Sequence, residues 1–205
     1  MSTAVTHDAH AHHEGGHPTH TGLNTWKVGF WTFMGSETLF FGTLIATYMV
    51  YKGASVQGPF PADVFDIPLT SISTFVLLLS SLMVVLALEA LRAGHRQYAL
   101  IGIMSIIVLG ATFLGFQAYE FTHFYHEGLS LERNLFGSSF FVLTGFHGAH
   151  VTVGVFWLLI LWVDCWRGTL HAGNALRLEI AGLYWHFVDI VWIVIFTLVY
   201  LMEAQ

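Results

Sequence analysis

The chain alternates between long apolar stretches and short polar interruptions. Five stretches are apolar for about the twenty residues a helix needs to cross a hydrocarbon core of roughly 30 Å. They are Trp26–Tyr51, Pro68–Leu91, Tyr98–Glu120, Phe136–Val163 and Leu178–Met202. Helix breakers fall between them: Gly53, Gly58, Pro59 and Pro61 after the first, Gly94 after the second, Gly128 after the third, Gly168 and Gly173 after the fourth. The connections are short, so consecutive helices are expected to run antiparallel in a compact bundle. The pattern predicts an all-α fold. Residues 26–205 are expected to form an integral membrane bundle of five transmembrane helices, and residues 1–25 a polar, His-rich cytoplasmic tail without fixed structure.

Composition narrows the class. Of 205 residues, 55 % are apolar and 10 % charged, against about 25 % charged in an ordinary soluble domain. A net charge of −6 leaves no basic field to attract phosphate, so no nucleic-acid partner is expected. The single cysteine, Cys165, excludes a disulfide framework and a Cys-rich zinc or iron–sulfur site. Met1–Gly22 lacks Lys, Arg and an apolar middle, so it does not read as a secretory signal. Its six histidines (His7, His10, His12, His13, His17, His20) read either as a metal-binding tract or, more plainly, as a solvated tail.

The basic residues orient the bundle. Lys27, Arg92, Arg96, Arg167 and Arg177 fall on one side, and Lys52 and Arg133 on the other. The positive-inside rule then puts the amino terminus in the cytoplasm and the carboxyl terminus outside.

Polar groups inside the spans carry the candidate chemistry, because a charge at the bilayer centre costs at least about 2.5–3.5 kcal/mol. Glu37 lies ten residues into the first span, about 15 Å deep at 1.5 Å per residue. It reads as a member of a proton relay, a partner for a buried base, a contact of a lipid head group, or a neutral carboxyl bonded to a neighbouring helix. His147 and His150, three apart, share a helix face, as do His186 and Asp189. Such spacing can ligate a metal or haem, but a metal site needs more convergent donors. Interhelical hydrogen bonding is the plainer reading. Glu120 closes the third span and Glu89 lies near the end of the second. Recurrent glycines (Gly29, Gly35, Gly42; Gly102, Gly110; Gly145, Gly148, Gly154) are expected to let helices approach closely.

Four strings resemble a known family in order: Met34-Gly-Ser-Glu-Thr-Leu-Phe-Phe41, Gln117-Ala-Tyr-Glu-Phe121, Thr144-Gly-Phe-His-Gly-Ala-His-Val151 and Tyr184-Trp-His-Phe-Val-Asp-Ile-Val-Trp192. They look like the signature segments of subunit III of the haem–copper terminal oxidases, and the resemblance spans about Trp26 to Glu203. Family members of cytochrome c oxidases usually have seven spans. Five spans with Glu37 on the first, and a His-rich tail, look most like the quinol oxidase branch, the bo-type ubiquinol oxidases. The aa3-type menaquinol oxidases and five-span cytochrome c oxidases are the alternatives.

The resemblance implies a non-redox accessory subunit of a proton-pumping quinol oxidase in the bacterial plasma membrane. It implies no haem, copper or other cofactor in this chain, with haem and copper in subunit I and phospholipid bound here. The implied partners are subunit I, subunit II, a small subunit IV and membrane phospholipids. The first two spans would form one group and the last three another, around a lipid cleft. Glu37, Glu120, His147, His150, His186 and Asp189 would then line that cleft or join helices. An autonomous haem or di-metal enzyme and an acid-driven transporter are the competing readings.

Overall fold

The computed structural model describes residues 25–52, 67–126 and 135–202. The histidine tract of the tail and Arg133 lie outside these residues. Five long helices make up most of the described residues: α1 (Thr25–Tyr51), α2 (Ile67–Arg92), α3 (Arg96–His126), α4 (Leu135–Arg167) and α5 (Leu176–Ile195). The last helix continues as a wider π-helical turn over Phe196–Leu201. Each is long and apolar enough to cross a bilayer, which makes this a multi-pass membrane protein of the all-α class.

Local chemistry sets the turns. Gly94 and Gly168 take φ values of +78° and +83°, the left-handed conformation that ends a helix in a Schellman motif. The matching backbone bonds are present: the amide of His95 donates to the carbonyl of Ala90 and that of Thr169 to Asp164. Both glycines are among the breakers read from the sequence. Helix α3 runs longer than its apolar stretch, so Glu120 sits two turns inside the helix rather than closing it.

Side-chain contacts define the packing. Helices α2 and α3 lie closest: a Cβ placed on Gly102 would sit 2.7 Å from the Cβ of Ala87. Helix α5 is central, with Trp185 and Trp192 both 1 % exposed. Its indoles donate to α2, Trp185 Nε1 to Ser80 Oγ at 2.8 Å and Trp192 Nε1 to Thr74 Oγ1 at 2.9 Å. Helix α1 attaches to α4 and α5. Phe40 packs edge-on against Phe146, and Phe41 against His150 and Phe187.

This corrects the expected two-plus-three grouping. Among the described residues α1 packs on the last two helices rather than on α2, while α2 packs on α3 and α5. The reason is side-chain complementarity. The aromatic face of α1 meets the aromatic and histidine face of α4, whereas the small and hydroxylated face of α2 (Ser80, Thr74, Ala87) accommodates the tryptophans of α5 and the glycine of α3.

Candidate functional site

The polar groups buried among the helices do not converge on one centre. They form separate interhelical contacts at different depths, some between two helices and some among three.

At one end of the bundle, Glu179 of α5 gathers Lys27 of α1 at 2.6 Å and Arg92 of α2 at 2.9 Å. Arg92 also pairs with Glu89 at 3.0 Å, and Arg177 with Asp164 at 2.5 Å. Arg96 donates from Nε to the carbonyl of Cys165 at 2.8 Å, and its Nη2 donates to the carbonyl of Trp166. Glu179 was not a candidate in the sequence. Its signal was available, an acid in the first turn of α5 where the helix dipole favours negative charge.

Deeper, Glu37 of α1 meets His150 of α4, with Oε2 and Nε2 3.1 Å apart. The other ring nitrogen of His150 contacts the carbonyl of Phe146 at 2.7 Å. The Tyr184 hydroxyl of α5 donates to the backbone carbonyl of His150 at 3.0 Å, so three helices meet here. Glu37 thus meets a ring nitrogen on a neighbouring helix, a contact common to two of its readings, the partner of a buried base and the neutral carboxyl bonded across helices.

His147 is fully buried. Its Nε2 lies 3.3 Å from the carbonyl of Val188, and its ring packs on Trp192 and edge-on to Phe113. Sharing a face with His150 therefore does not bring the two rings to a common partner. His186 Nδ1 lies 2.7 Å from the Ser81 hydroxyl of α2, so it pairs across to α2 and not with either histidine of α4. Asp189, 3 % exposed, is the least satisfied group. Neither carboxyl oxygen meets hydrogen-bond geometry, although the Ser81 hydroxyl of α2 lies close enough to act on it. Glu120 of α3 accepts a hydrogen bond from the Thr70 hydroxyl of α2, and Tyr200 also reaches that carboxyl. Gln117, not singled out in the sequence as a site, donates from Nε2 to the Thr144 carbonyl at 2.7 Å, joining α3 to α4. Among the described residues no three His, Cys, Asp or Glu side chains converge to hold a metal ion.

A bundle of this kind, with most of its buried polar side chains reaching a neighbouring helix, agrees with what the sequence matches. The family described as cytochrome c oxidase subunit III matches residues 4–204. The chain belongs to that family. Among curated relatives, it is 40 % identical over 209 residues to the cytochrome bo(3) ubiquinol oxidase subunit 3 of Pseudomonas aeruginosa, covering 100 % of both chains. It is 40 % identical over 199 residues to the probable quinol oxidase subunit 3 of Staphylococcus saprophyticus, covering 97 % of each. It is 42 % identical over 178 residues to the cytochrome c oxidase subunit 3 of Alkalihalophilus pseudofirmus, covering 85 % of each. The subunit III family thus includes similarly close relatives named for different electron donors.

Proposed function

We propose that this chain is an accessory subunit III of a proton-pumping terminal quinol oxidase. The complex oxidises ubiquinol and reduces oxygen to water. The chain itself carries no redox centre; haem and copper reside in subunit I, which it stabilises beside subunit II and a small subunit IV. It retains phospholipid and supports proton uptake. The amino terminus faces the cytoplasm of a bacterium and the carboxyl terminus the outside, in line with the cationic end of the bundle holding Lys27, Arg92, Arg96 and Arg177. The observation that carries this reading is the full-length similarity to a protein named as the third subunit of a bo(3) ubiquinol oxidase. The geometry agrees: Glu37, Glu120, His147, His150 and His186 each reach a group on another helix, which favours structural polar contacts over catalysis.

Affinity purification of the tagged chain from mildly solubilised membranes tests it. Haem-containing subunits are expected to accompany the chain, and the complex is expected to consume oxygen with ubiquinol. A stoichiometric haem band in the chain purified alone overturns the non-redox reading. Oxygen consumption driven by reduced cytochrome c in place of quinol favours the second reading, a cytochrome c oxidase subunit 3, which the relative from Alkalihalophilus pseudofirmus supports.

A further inference from the structure

An apolar groove of about 580 Å³ opens on the outer face of α3, within the roughly 300–1,000 Å³ of ordinary ligand sites. Its floor is Leu100, Met104 and Val108 of α3; Met83 of α2 and Trp162 of α4 form its walls. The polar side chain in it, Ser105, spends its hydroxyl on the carbonyl of Ile101. The groove therefore offers no hydrogen bonds along its length.

Its dimensions select an occupant. The lining runs along α3 from Leu100 to Leu109, about 14 Å at 1.5 Å per residue. That is about half of a hydrocarbon core of roughly 30 Å, the depth of one leaflet. A transmembrane helix seated there would need a groove that continues through the other leaflet. One turn outward of Leu100 stands Arg96, exposed and fixed by its bonds to the carbonyls of Cys165 and Trp166. A guanidinium has five N–H donors; two are used here, and the others face no partner among the described residues. The groove thus has an apolar slot one leaflet deep, a cation at its mouth, and Trp162 on its wall toward that end.

We propose that this groove holds one acyl chain of a phospholipid in the leaflet at the Arg96 end, with the lipid phosphate at the Arg96 guanidinium. The proposal deepens the lipid-retaining role proposed above and rests on it, adding the place, the leaflet and the head-group contact.

The test uses the whole oxidase complex, reconstituted in nanodiscs of phosphatidylethanolamine and phosphatidylglycerol, transferred to detergent and weighed by native mass spectrometry. Met104→Trp and Leu100→Trp fill the slot, and each is expected to lose one retained phospholipid per complex. Arg96→Gln is expected to keep the slot but release that lipid at lower detergent concentration. A second measurement leaves Leu100 and Met104 in place. A photoreactive benzoylphenylalanine at Ile101, an exposed residue of the slot's lining, is expected to crosslink phospholipid. An unchanged lipid count in both tryptophan variants overturns the proposal, as does a crosslink to a polypeptide. Wild-type chain that fails to co-purify with haem subunits overturns the accessory-subunit reading instead; an intact complex with unchanged lipid overturns the groove alone.

Discussion

Trp185 is the side chain on which most of the bundle converges, and Gly110→Ala tests that directly. The indole of α5 lies between a glycine of α3 and a glycine of α4. A Cβ at Gly110 would sit 2.6 Å from Trp185 Cη2 and 3.1 Å from Val155 Cγ2; one at Gly154 would sit 2.9 Å from both Cε3 and Cζ3 of the same ring. Carbon atoms in van der Waals contact rest about 3.5–4.0 Å apart, so the ring must retreat by about 1 Å. It has little room: Trp185 is 1 % exposed, Gly154 backs the adjoining Cε3–Cζ3 edge, and Nε1 is tied to Ser80 Oγ at 2.8 Å. Overpacking of this kind costs about 1–3 kcal/mol. Loosening a hydrogen bond inside a membrane bundle adds about 0.6 kcal/mol. Alanine's better helix propensity returns about 0.5–1 kcal/mol. The net expectation is a loss of about 1–3 kcal/mol.

Unfolding of the full chain in mixed micelles, titrated with sodium dodecyl sulfate, measures it. A double-mutant cycle then isolates the contact. In a Trp185→Phe background the smaller ring vacates the space, so the penalty of Gly110→Ala should fall below about 0.5 kcal/mol, within ordinary additivity error. A Gly110→Ala chain as stable as wild type, or an undiminished penalty beside Phe, refutes the account of Trp185 as a wedge between glycines.

Three further outcomes are expected. Glu179→Gln removes the shared anion of Lys27 and Arg92, whose side chains are 41 % and 45 % exposed; solvent screening holds the loss to about 1 kcal/mol or less. Thermal unfolding at low and high salt should show that loss shrink as salt rises, and a salt-independent loss contradicts it. Glu37→Gln keeps a polar group opposite His150 and should assemble and turn over close to wild type in short oxygen-electrode assays; an assembled complex without oxygen consumption counts against this. Gly35→Leu with Gly42→Leu should leave the isolated chain's unfolding unchanged, because no atom lies within 4 Å of a Cβ at either position, yet reduce recovery of haem subunits several-fold. Equal recovery removes α1 as a docking face.

The five spans were legible because membrane insertion writes them as apolar length, and the turns because Gly94 and Gly168 have the left-handed conformation that glycine supplies at low cost. Pairing was less legible. Hydrophobicity cannot choose partners in a bilayer, where lipid is as apolar as leucine. Thus the grouping of α1 with α2 failed, and His186 turned to Ser81 rather than to the histidines of α4. Ser81, Ser80 and Thr74 gave no signal, since hydroxyls are ordinary in such helices and only the facing surface reveals which are used. The glycines divide in the same way. Gly102, Gly110, Gly148 and Gly154 mark close approaches, and so does Gly182 against Val84, whereas Gly29, Gly35, Gly42 and Gly145 have no neighbour within 4 Å of a Cβ.

That division bears on what the chain is built to do. Helix α1 buries Met34, Phe41 and Tyr48, seven apart, a single line of contact along its length. Trp26, Trp31, Leu39 and Val50 are each more than 60 % exposed. Where burial drives little association, helices are held by small residues that admit a neighbouring backbone and by polar bonds. Within the bundle the close-packed glycines lie on α3, α4 and α5, while α1 holds to its neighbours through Glu37, Lys27 and aromatic edges. Its own three glycines point away from every described helix. A helix that needed only this bundle would turn its small residues inward; α1 turns them outward, which suits the approach of a helix from another subunit of the oxidase.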